Sequence, residues 1–103
     1  MRPLLEKQAA VSAVDRRTNA LDTERRQIVE DQSRLRENMK ALRGSAEEKQ
    51  LLQRYTRQLD EQESRLAVLQ QEMTKAAAER AALVAELSKL ISTLSFDWSG
   101  KTP

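Results

Sequence analysis

The side chains able to do chemistry in this sequence are carboxylates and cations, because its 103 residues include no cysteine and no histidine. That removes thiolate and imidazole metal ligands, the thiol nucleophile, any disulfide framework and the commonest general base. Asp60, Glu61 and Glu63, or Glu72, Glu79 and Glu86 at seven-residue spacing, would serve as acid and base only in a cleft that raised one pKa and excluded water. No glycine-rich phosphate loop accompanies them, since the chain has two glycines, Gly44 and Gly100. The expectation is a chain that is no enzyme and has no catalytic, cofactor-binding or metal-binding residues.

The cations are unevenly placed. Residues 1–33 carry six basic and six acidic side chains, residues 34–57 seven basic and three acidic, and residues 60–97 four basic and seven acidic. Arg36, Lys40, Arg43, Lys49, Arg54 and Arg57 form the candidate basic cluster. Such a cluster fits nucleic acid or an acidic partner, although it lacks interleaved aromatics, and charges on a helical surface are commonly just solvated.

Those charges sit on helices. One Trp, one Tyr and one Phe leave little aromatic core, and two Pro and two Gly are too few for a disordered chain of this charge. Steps of three and four residues from Leu4 give Lys7, Val11, Val14, Thr18, Leu21, Arg25, Ile28, Gln32, Leu35, Met39 and Leu42, a heptad stripe with polar groups at three successive a positions. A second stripe runs Leu52, Tyr55, Leu59, Gln62, Leu66, Leu69, Met73, Ala76, Arg80, Leu83, Leu87, Leu90 and Leu94. About six heptads in each segment argue for packing against another helix.

The stripes belong to different helices. Continued past Leu42, the first would place Ala46, Lys49, Gln53 and Thr56 on the seam, one residue out of phase with Leu52 and Tyr55. That slip turns the seam by about 100°, beyond what a stutter or stammer absorbs. Between them lies a stop and a start. Arg43 puts a cation at the carbonyl end, and Gly44 suits a left-handed C′ residue. Ser45 opens Ser-Ala-Glu-Glu, a capping box closed by Glu48.

Folding back here pairs residues whose numbers sum to 94, matching a with d in each layer: Leu42 with Leu52, Met39 with Tyr55, Leu35 with Leu59, Ile28 with Leu66 and Val11 with Leu83. Gln32 then faces Gln62. Two amides that meet can hydrogen-bond and fix the register, as buried Asn does in parallel coils; the rival reading is a wet layer without a role. Arg17 with Glu79, Asp31 with Arg65 and Arg36 with Glu63 are within reach across the seam.

The chain is thus expected to be an all-α, two-helix antiparallel coiled-coil hairpin of one domain: helix one over about 4–43, a turn at 44–45, helix two over about 45–95 and a tail at 96–103. A hairpin this thin is marginal without further burial. Leu5, Ala77, Val84, Ile91 and Trp98 widen the apolar surface at the end opposite the turn, and this base is the candidate interface with a second hairpin, giving a four-helix bundle, or with a neighbouring domain. No apolar run is long enough to span a membrane and no signal-peptide core follows Met1, so a soluble chain is expected, in a compartment the composition leaves open.

One resemblance adds to this. The segment "IVEDQSRLRENMKALRGSAEEKQLLQRYTRQLDEQESRL" at 28–66, with "LSFD" at 94–97, resembles the C-terminal helical region of bacterial proteins related to mucoidy inhibitor A. It does so through Asp31-Gln32, Arg34, Arg36, Asn38, Arg54-Tyr55 and Gln62-Glu63. In those proteins a β-rich domain of unknown function precedes the helices. The resemblance implies an appendage of a larger bacterial protein with its base toward that domain, and it brings no catalytic residues. The expected function is a spacer, oligomerisation or domain-docking element. The alternative is a nucleic-acid-binding hairpin using the basic tip, and an interfacial membrane binder is a third reading that the mixed charges argue against.

Overall fold

The structure is a computed structural model that describes residues 2–101, with side chains described through Ser95. It is all-α among those residues: α1 spans Arg2–Lys40 and α2 spans Ala46–Lys101, folded as a hairpin. Contacts divide the chain into one unit of Ala20–Glu72, which holds the turn, and another of the residues up to Asn19 together with those from Met73 on.

The heptad stripes are the inward faces. Every position of the first stripe, Leu4 through Leu42, is buried or half-buried. In the second, the positions from Tyr55 to Leu90 are too, apart from Arg80. In the unit Ala20–Glu72 the core is Leu21, Gln32, Leu35 and Leu69, with both Leu35 and Leu69 wholly inaccessible; in the other unit Val14 and Ala76 are buried. Polar groups at a positions are satisfied close by. Thr18 Oγ1 donates to the Val14 carbonyl at 3.0 Å, and Arg25 turns back to Asp22 Oδ1 through Nε at 3.0 Å and Nη2 at 2.8 Å.

The helix bounds differ from expectation, each for a local reason. Pro3 is tolerated inside the first turn of α1, where no backbone N–H is needed, so α1 begins at Arg2. It ends at Lys40 rather than near 43 because its last turn tightens: the amides of Ala41 and Leu42 reach the carbonyls of Asn38 and Met39, three residues back, both at 3.2 Å. The Arg43 amide leaves the helical ladder altogether for Glu48 Oε2 at 2.6 Å.

Early termination displaces the expected first layer. Leu42 lies beyond the end of α1, so Leu52 has no helical residue opposite it and is 39% exposed, while Leu51 is half-buried. At the other end Leu94 is 41% exposed, because the same register offers it no α1 residue. The tail expected at 96–103 is helical as far as Lys101, there being no proline between Ser95 and Pro103 to stop it.

Candidate functional site

The turn is built by one carboxylate. Glu48 Oε1 accepts from the Ser45 amide at 3.1 Å, Ser45 Oγ accepts from the Glu48 amide at 3.2 Å, and the Lys49 amide closes the first helical bond to the Ser45 carbonyl at 2.9 Å. Its Oε2, on Arg43, spans the corner in addition, a contact the capping motif does not encode. Hydrogen bonds from the Ser45 hydroxyl and from the Arg43 and Ser45 amides hold the Glu48 carboxyl below the usual glutamate range. Gly44 sits between them at φ +97°, where an L side chain is strained. The Arg43 guanidinium returns to the Lys40 carbonyl at 3.3 Å, satisfying one of the carbonyls the ended helix leaves open.

The bond between the two glutamines that the sequence suggested does not form; each amide takes a carboxylate from the opposite helix. Gln32 Nε2 donates to Glu63 Oε1 at 2.9 Å and Gln62 Nε2 to Asp31 Oδ2 at 2.7 Å. An ionised carboxylate is the stronger acceptor and lies one residue away on each side. Gln32 is 4% exposed, and Gln62 Oε1 is buried with no donor among the described residues. The Arg34 guanidinium at 2.8 Å and the Gln62 amide together hold Asp31 below the usual aspartate range.

Ion pairs flank the seam within each unit. Arg17 reaches Glu79 at 2.5 Å, as expected, Arg80 reaches Asp15 at 2.7 Å and Lys7 pairs with Glu86. Arg65 grips Glu24 through two bonds, at 2.6 and 2.9 Å, instead of Asp31, and Glu63 receives Gln32 instead of Arg36. Long flexible side chains have several near-equivalent partners, and a stripe pattern fixes the register without choosing among them. The Arg65 contact holds Glu24 below its usual range, and Arg25 with Arg26 does the same for Asp22. All these partners are at least partly in solvent, where such pairs contribute little to stability.

Two surfaces stand out as exposed among the described residues. On α2, Ala77, Ala78, Ala81, Val84, Ala85, Ser88, Ile91 and Ser92 are all exposed and all uncharged, an unusual composition for the outer face of a solvated helix. Val84 is 39% exposed and Ile91 48%; Leu5, on α1 in the same unit, is 59% exposed. Trp98 falls outside the described side chains. The second surface comprises the cations of the unit Ala20–Glu72: Arg36, Lys40, Arg43, Lys49, Arg54 and Arg57 are all exposed, and of these Lys40 pairs with Glu37 at 2.9 Å.

Among the described residues no three or more carboxylates are placed to hold a metal ion, and no helix is long and apolar enough to cross a membrane. Fold and surfaces together define an all-α helical hairpin with a charge-free face and a basic face. Compared with protein-family models, curated proteins and solved structures, the chain matches none.

Proposed function

We propose that the chain is a structural coiled-coil module, a spacer that associates with a second copy of itself or with a neighbouring domain of a larger bacterial protein. The observation that carries this reading is the run of exposed, uncharged side chains on α2 from Ala77 to Ser92, with Val84 and Ile91 as its large members. A helix face meant for water carries Lys, Arg, Glu or Asp, as the rest of this chain does; one made of Ala, Ser, Val and Ile permits close approach of another helix and gains from losing water. The heptad stripes support the coiled-coil part, and the resemblance of residues 28–66 to the helical region of mucoidy-inhibitor-A-like proteins supports a β-rich neighbour.

Sedimentation equilibrium across a wide concentration range tests the self-association arm. The expected result is reversible association of the wild-type chain that Val84→Glu with Ile91→Glu abolishes at unchanged helicity. A wild-type chain that stays monomeric at millimolar concentration overturns self-association, and a doubly charged variant that still associates overturns this face as its site.

A further inference from the structure

The basic surface of the unit Ala20–Glu72 carries an inference that is independent of the module reading. Within this unit Arg25, Arg26, Arg34, Lys40 and Arg65 each hold a carboxylate. Arg36, Arg43, Lys49, Arg54 and Arg57 have no carboxylate at ion-pair distance among the described residues, and all five fall in the last residues of α1, the turn and the first turns of α2. The acids of the same stretch are already engaged, Glu37 by Lys40 and Glu48 by two backbone amides, which leaves Glu47 against five cations. In the same stretch α2 presents an open groove lined by Leu52, Gln53, Thr56 and one of these cations, Arg57. Leu52 is a seam residue by sequence that the early end of α1 leaves partly in water.

We propose that this surface binds an acidic polypeptide segment carrying an apolar anchor residue: the anchor sits on Leu52 in the groove, and the flanking carboxylates pair with Arg57, which lines the groove, and with Lys49, one turn before Gln53 on the same face of α2. Charge complementarity selects the sign of the partner, and guanidinium groups suit carboxylates because they bind them through two parallel bonds. Leu52, the one apolar side chain lining the groove, separates a polypeptide from a nucleic acid. A sugar-phosphate backbone gains nothing from Leu52, and the exposed aromatic platform that contributes most to base stacking is missing among the described residues of this unit. The unit's one aromatic, Tyr55, is half-buried on the seam with its hydroxyl 3.5 Å from Asn38 Nδ2.

Fluorescence anisotropy with the full chain at low salt reads the binding. The probes are a labelled peptide of glutamates with leucine at every fourth position, an all-glutamate peptide of equal length and a short oligothymidine. The leucine-bearing peptide should bind tightest. Lys49→Gln with Arg57→Gln should weaken it about tenfold, a loss of about 1.4 kcal/mol. Leu52→Ala should reduce it to the level of the all-glutamate peptide, and Arg16→Gln with Lys75→Gln, an equal charge change in the other unit, should leave it unaltered. Circular dichroism of each variant reports the fold, and the exposed pair of Lys49 and Arg57 decides the matter should Leu52→Ala lower helicity. Equal binding of both peptides with no effect of Leu52→Ala overturns the proposal, as does tighter binding of oligothymidine or no binding of either peptide.

Discussion

Gly44 and Leu69 show two ways in which one residue decides the stability of this hairpin. At φ +97° a β-carbon on Gly44 would meet nothing within 4 Å, so the cost of a side chain there is one of backbone conformation alone. Gly44→Ala should therefore destabilise by about 1–2 kcal/mol in urea unfolding. A D-alanine introduced by synthesis, whose preferred φ is of the opposite sign, should instead stabilise by about 0.5 kcal/mol through the unfolded state. Equal losses for both would point to a steric cause and contradict the open space. Leu69 is wholly buried where Leu66 is half-buried, on the same helix and in the same stripe. Leu69→Ala should cost about 3 kcal/mol and Leu66→Ala about half of that. Gln62 sits between these extremes: its Oε1 is buried with no donor among the described residues, while its Nε2 is satisfied by Asp31. Gln62→Leu removes the orphaned acceptor and should leave stability level or raise it by about 1 kcal/mol, and a clear loss on thermal unfolding would show that the Asp31 bond outweighs it.

At the scale of the helices, the cap of α2 and contacts along and between the helices rest on carboxylates held ionised, which gives the fold a pH dependence of known sign. Hydrogen bonds and guanidinium partners depress Asp22, Glu24, Asp31 and Glu48 in the folded chain. A depressed folded pKa means that the stabilisation is complete above the unfolded carboxylate range and is lost as the pH falls through the folded values. The denaturation midpoint should be level from neutral pH down to the top of that range and fall below it; Glu48→Gln should flatten part of this fall, and a midpoint that rose on acidification would refute the assignment. The termini also show what was legible in advance. Two helices, their phases, the reversal at Gly44 and Ser45 and the register followed from residue types and spacing, because the period of a stripe and the grammar of a cap are local properties. The end of α1 did not, since Glu48 draws off the Arg43 amide through a contact across the corner, and Leu52 left its layer as a consequence. Side-chain partners were the least legible: the pairing of Gln32 with Glu63 and of Arg65 with Glu24 depends on reach and rotamer, which spacing does not encode.

For the whole molecule the decisive quantity is exposed surface. The chain presents 7933 Å² to solvent. A folded monomer of its 11.8 kDa mass is expected to present about 5,900 Å², so some 2,000 Å² more remains wet than a protein of this size ordinarily leaves. A standard interface removes about 800 Å² from each partner, so this excess is ample for one. Alone, such a chain gains little from burial, and its unfolding should show a small denaturant dependence and a small heat-capacity change for its length. Association would then be coupled to folding by mass action, because a partner binds the folded hairpin and not the unfolded chain. The thermal midpoint should therefore climb as protein concentration is raised, by several degrees over a hundredfold range if the bound form gains about 2–3 kcal/mol. Val84→Glu with Ile91→Glu should abolish that climb while leaving the dilute midpoint where it was, since both side chains are already exposed in the single chain. Calorimetry over the concentration series measures it directly. A midpoint independent of concentration in the wild type would mean that the charge-free face of α2 is covered by something other than a second copy.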